Sequence, residues 1–122
     1  MNSMPSIDYY RFGKIIVNSE SITSDLMILP NGHILKNWRR KKGHFLAYDD
    51  IQPIIDATPE VLIVGTGAFG LMKTDPNLIE TLKAVTKNPL KLIQLRTGKA
   101  KEKYQKEIQG NKKIAACFHL TC

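Results

Sequence analysis

Apolar residues in this chain come in short runs, each closed by turn chemistry, and no run is long. Tyr9 to Val17 reads as a strand bent at Gly13, followed by the turn Asn18-Ser19-Glu20-Ser21. Ile22 to Leu29 reads as a second strand, stopped by Pro30-Asn31-Gly32. His33 to Leu35 supplies a short third strand. Links this short cannot make parallel crossovers, so the opening third is predicted to be an antiparallel meander.

The pattern then changes. Asp49 to Asp56 predicts a short helix with Ile51, Ile54 and Ile55 as its apolar stripe, and Pro53 is tolerated only in the first turn. Val61 to Val64 is an unbroken apolar run, the mark of a strand buried on both faces. It enters the glycine loop Gly65-Thr66-Gly67-Ala68-Phe69-Gly70. Asp75-Pro76 is a helix start; Leu78, Ile79, Leu82 and Val85 follow at helical spacing, and Asn88-Pro89 ends the helix. Leu90 to Leu95 is the next strand. Thr97 or Gly98 opens a second helix ending near Gly110, and Ile114 to Phe118 is the last strand. Two helices separating three short apolar strands imply right-handed crossovers and a parallel trio. The predicted fold is an α/β three-layer domain with a central mixed β-sheet. An N-terminal antiparallel meander with a basic loop (1–45) precedes a β-α-β-α-β parallel unit (46–122), all within one domain (1–122).

Composition narrows the class. An apolar fraction of 43% excludes wholesale disorder, and 122 residues need no disulfide staple. No apolar run approaches the ~20 residues of a membrane span. The first residues show neither a signal-peptide core nor an Arg-rich transit pattern, so a cytoplasmic location is expected. Cys117 and Cys122 on one extended strand would stand about 16 Å apart on opposite faces, so reduced thiols are expected.

The net charge of +7 lies entirely in residues 62–122, which hold eleven Lys/Arg against four acids; residues 1–61 hold seven of each. On the second helix Ala100, Tyr104 and Ile108 share one face, while Lys99, Lys103 and Lys106 fall opposite among Glu102 and Glu107. That is a solvated face rather than a ligand site. The densest basic run, Lys36 to His44, contains the only Trp. It fits an anion contact with Trp38 stacking, or a loop whose Trp packs as a lid. No helix-turn-helix, zinc-finger or RNP pattern accompanies it, so nucleic acid is not the expected partner. Trp38, Arg39, Arg40 and His44 form the candidate partner surface.

The glycine loop spells G-x-G-x-x-G, yet the helix signal comes only at Asp75-Pro76, and the next strand ends Gln94-Leu95-Arg96 without an acid. Both features depart from a dinucleotide fingerprint. Metal chelation fares no better: His119 and Cys122 are three apart and face opposite ways on a strand, and His33 and His44 lack a ligand at suitable spacing. No nucleophile signature is present, so no catalytic residue, metal or cofactor is assigned. If the trio is parallel, its strand ends converge on one edge. Gly65, Thr66, Gly67, Arg96, Thr97 and His119 there are the candidate small-anion site.

Several stretches together carry a family resemblance. They are Tyr10-Arg11-Phe12-Gly13, Leu29-Pro30-Asn31-Gly32-His33, Trp38-Arg39 and Gly43-His44. Later come Leu62-Ile63-Val64-Gly65-Thr66-Gly67, Thr97 with Ala100 and Tyr104, and Phe118-His119-Leu120-Thr121-Cys122. The chain resembles the small α/β domain family that includes mitochondrial complex I assembly factor three and the adipogenesis-associated protein. The resemblance implies a three-layer domain, no enzymatic activity established for the family as a whole, and eukaryotic members that act in assembly or regulation through protein contacts. Members often carry an acid between the Trp-Arg and the Gly-His, where this chain has Lys41 and Lys42. Two functions are therefore carried forward. One is a non-enzymatic, assembly-factor-like protein-interaction domain. The other is a small-anion or nucleotide-binding domain, with enzymatic activity included in that alternative.

Overall fold

A computed structural model describes residues 4–85 and 90–122. The expected stop at Asn88-Pro89 lies outside them. Ten strands and three α-helices form the described chain. The central sheet has five strands in the order β5 (Ile34–Lys36), β4 (Leu26–Ile28), β10 (Ile114–His119), β7 (Val61–Thr66) and β9 (Lys91–Leu95). β10, β7 and β9 run parallel, and β4 and β5 are antiparallel to their neighbours. The sheet is mixed, with the parallel trio at one side.

Alternation along the two middle strands builds the other layers. Val61, Ile63, Ile114, Ala116 and Phe118 face α3 (Thr97–Glu107) and a small antiparallel sheet of β1 (Ile7–Arg11), β2 (Lys14–Val17) and β3 (Glu20–Ile22). Leu62, Val64, Ala115 and Cys117 face the opposite way, onto Ile51 and Ile54 around α1 (Gln52–Asp56) and Leu78 and Leu82 of α2 (Pro76–Val85). A strand buried on both faces has no solvated side, which is why Val61 to Val64 shows no polar alternation.

α2 starts as its sequence dictates: Asp75 Oδ1 accepts the Asn77 amide at 2.9 Å. On α3, Ala100 and Tyr104 are buried, and the lysines face outward. Glu102 pairs with Lys99 at 3.6 Å and Glu107 with Lys103 at 3.3 Å.

The N-terminal part differs in detail. The expected bent strand Tyr9–Val17 is a hairpin, β1 and β2, turning through Gly13 at φ +79°. The expected strand Ile22–Leu29 is two strands in different sheets. β3 closes the small sheet and β4 enters the central one, with Thr23-Ser24-Asp25 making the passage. Two further strands, β6 (Phe45–Leu46) and β8 (Lys73–Thr74), pair in parallel. Two residues apiece leave no periodicity to read. The predicted Asp49–Asp56 helix is a 3-10 turn, Tyr48–Ile51, leading into α1 with Pro53 in its first turn.

Candidate functional site

Strand register brings the three parallel strand ends level: Gly65 pairs with Leu95 on one side and with Phe118 on the other, and Thr66 pairs with His119. Thr97 ties them together. Its Oγ1 accepts the Gly67 amide at 2.9 Å and donates to the His119 carbonyl at 2.6 Å, while the Thr97 amide donates to the Gly67 carbonyl at 3.1 Å. The Thr66 hydroxyl donates to the Leu95 carbonyl at 3.1 Å.

The chain's own tail lies across the glycine loop. Ala68 N–H donates to the Thr121 carbonyl and Leu71 N–H to the Cys122 carbonyl, at 2.6 and 2.9 Å. Gly70 N–H turns back to the Gly67 carbonyl at 3.2 Å. With Gly67, four amides of this stretch thus donate to protein acceptors rather than into an open cleft. The glycines are explained by close approach. A Cβ on Gly65 would stand 2.8 Å from the Phe118 ring and 2.9 Å from Thr97 Oγ1. One on Gly67 would overlap the Cys122 carbonyl and reach within 2.9 Å of His119 Cδ2. After the loop comes β8, not a helix, so the helix dipole that cradles a pyrophosphate is displaced.

His119 lies at the meeting point of two regions that the sequence presents separately. Its Nδ1 is 2.8 Å from Asp25 Oδ2, and Arg40 Nη2 donates to the same oxygen at 2.8 Å. Asp25 Oδ1 accepts the Leu120 amide at 2.8 Å. A carboxylate only accepts, so the Nδ1 that faces Asp25 carries a proton; Arg40 Nη2 also lies 3.2 Å from this nitrogen. Burial pushes the Asp25 carboxyl up, but bonds from His119, the Leu120 amide and Arg40, with the charge of His119, hold it below its ordinary value. Arg40 Nη1 and His119 Nε2 are buried and find no hydrogen-bond partner among the described residues. The His44 ring meets His119 edge-on at 5.1 Å.

The basic run Lys36 to His44 is stitched to the body. Trp38 is 8% exposed and its Nε1 donates to the Asp50 carbonyl at 2.8 Å. Buried Asp50 accepts the amides of Lys41 and Ala47 at 3.1 and 2.9 Å. The Arg40 guanidinium sits 4.7 Å from the Trp38 ring centre. Trp38 and the Arg40 side chain therefore face inward, while Arg39 and His44 are exposed, together with Lys36, Asn37, Lys41 and Lys42 of the same run. A polar groove of about 430 Å³ runs beside it, lined by Ser24, Asn37, Trp38 and Arg39 among others.

Arg96 is exposed, and its aliphatic stem lies over Gly70. It lines a groove of about 440 Å³ with Tyr10, Ala68, Lys99 and Lys101. Nearby the rings of Phe12 and Phe69 meet at 6.0 Å, with 49% and 60% of their surfaces exposed. The sequence reading missed this pair, because the two residues stand in separate turns. Asp25 was missed as well. Its one signal is an acid standing between the apolar residues Ile22 and Leu26.

A model of the family described as "Protein of unknown function (DUF498/DUF598)" matches residues 7–119. The chain belongs to this family. The DUF498/DUF598 fold recurs in solved structures. A conserved hypothetical protein of Pyrococcus horikoshii is 26% identical with a TM-score of 0.80, the match covering 96% of this chain and 99% of that one. A Bartonella henselae protein described as an outer membrane protein is 19% identical at TM-score 0.77, over 98% and 97% of the two chains. A Mth938-like domain of Bordetella pertussis is 17% identical at TM-score 0.64, over 95% and 85%. These likenesses establish the DUF498/DUF598 chain as a mixed α/β domain of Mth938-like fold. No helix among the described residues is long and apolar enough to cross a membrane.

Proposed function

We propose that this DUF498/DUF598 chain is a non-enzymatic protein-interaction domain, similar in role to an assembly factor. The observation that carries this reading is the exposed Phe12–Phe69 pair on the strand-end edge, with exposed Leu71 two residues on. Single exposed apolar residues are ordinary, but clustered aromatics on a rigid edge are the composition of a contact surface. On that edge the chain's own tail lies where an α/β fold usually opens to a ligand, which favours contact over catalysis. A cytoplasmic site of action belongs to the same reading, supported by the unpaired Cys117 and Cys122. The test is affinity capture from native lysate with the wild-type chain and with a Phe12→Ser/Phe69→Ser variant. A partner held by the first and lost by the second is expected. Failure to recover any specific partner would count against the reading.

A small-anion or nucleotide site is the second reading, favoured by the groove of Arg96, Lys99 and Lys101 rather than by the glycine loop. A thermal-shift screen with phosphate, nucleotides and carboxylates tests it, since a ligand at 100 times its dissociation constant adds about 2.7 kcal/mol.

A further inference from the structure

The aromatic pair and the cationic groove adjoin. Ala68 lines the groove and precedes Phe69; Tyr10 lines it and stands two residues before Phe12. The Arg96 stem lies over Gly70, on the far side of Phe69 in the loop. Among the described residues, no acid pairs with Arg96 or Lys101. Lys99 meets Glu102 at 3.6 Å with both side chains exposed, a weak contact. The groove therefore presents three cations against one acid beside an exposed apolar anchor point.

We propose that these two parts form one docking site for an acidic, extended segment of a protein partner. Its carboxylates would lie along Arg96, Lys99 and Lys101, and one aromatic or large aliphatic side chain would seat against Phe12 and Phe69. The proposal rests on the protein-interaction reading and names the chemistry of the partner. A second copy of the chain is a poor occupant, because it brings another net charge of +7 to a cationic surface. Nucleic acid is disfavoured by the ring geometry. Bases stack on free ring faces, whereas these rings are tilted 46° and spend part of their surface on each other.

The probe is a synthetic peptide, acetyl-Glu-Asp-Glu-Phe-Glu-Asp-Glu-amide, titrated into the intact isotope-labelled chain by NMR. Saturable shifts centred on Phe12, Phe69, Arg96 and Lys101 are expected, weakening as salt is raised. Affinity should fall at least tenfold in Phe12→Ser/Phe69→Ser, and again in Arg96→Glu/Lys101→Glu. None of these four side chains is buried, so both variants should retain the native spectrum elsewhere. The proposal is overturned if the peptide with Ser in place of Phe binds equally well, or if no shifts develop up to about 1 mM peptide. Displacement of the peptide by equimolar oligothymidylate or by inorganic phosphate would overturn it too, in favour of nucleic acid or a free small anion. If the peptide fails while Phe12→Ser/Phe69→Ser still loses a partner from lysate, the protein-interaction reading survives and only the acidic-segment proposal falls.

Discussion

Asp25 and His119, 94 residues apart, meet at 2.8 Å where the chain enters β4 and leaves β10, and Arg40 closes the cluster from the basic loop. The side chains of Arg40 and Asp25 are 6% and 14% exposed, so removing the acid strands a buried cation. Asp25→Ala should cost about 3–5 kcal/mol in urea denaturation. The same carboxyl sets an acid limb. Its folded pKa lies below the ordinary 3.8, so the unfolded chain takes the proton first as pH falls. The stability it supplies is complete above the ordinary value and is lost as pH drops through the folded one. Melting curves between neutral and strongly acid pH should therefore fall less steeply for Asp25→Ala than for the wild type.

Two glycines give opposite predictions. Gly67 has φ +105° and no room for a Cβ beneath Cys122, so Gly67→Ala should destabilise by at least about 2 kcal/mol. Gly98, in the first turn of α3, has nothing within 4 Å of an added Cβ. Gly98→Ala should stabilise by about 0.5–1 kcal/mol, chiefly by narrowing the unfolded ensemble. Parallel denaturation curves of the two variants check both signs.

The thiols should report their surroundings. Cys117 is fully buried in β10, and burial pushes its pKa up to about 12, while Cys122 is part-exposed. Only the thiolate reacts. Ellman's reagent should modify one thiol per native chain, and the second only after denaturant is added.

Trp38 is the single indole and an internal spectroscopic probe. Its burial predicts blue-shifted emission and poor quenching by iodide, both lost on unfolding. Trp38→Phe leaves the Asp50 carbonyl without its donor and should cost about 1–3 kcal/mol. Iodide quenching equal in the native and unfolded chains would refute the inward placement.

What could be read in advance followed from local chemistry. The run Val61 to Val64, the Asp75-Pro76 start of α2, the opening of α3 at Thr97 and the strand Ile114 to Phe118 each carry their instruction within a few residues. They sufficed for the parallel trio. Where partners are distant, the pattern was silent. Asp25 looks like a polar interruption of one strand until His119 reaches it, and only then does Ile22 to Leu29 divide between two sheets. Trp38 was open to two readings, a stacking platform or a packed lid, because Asp50, its acceptor, stands twelve residues away on another element. The covering of the glycine loop by Thr121 and Cys122 was illegible for the same reason.

The position of β10 has a consequence for biosynthesis. It is the last described strand in the chain, yet it stands in the middle of the sheet, between β4 and β7. On the ribosome, β5–β4 and β7–β9 must wait as two half-sheets, each holding an apolar edge that β10 will cover. The two halves of the central layer cannot join until residues 114–119 have emerged from the exit tunnel. A chain released earlier would carry two unprotected strand edges, the form that chaperones hold and that aggregates recruit.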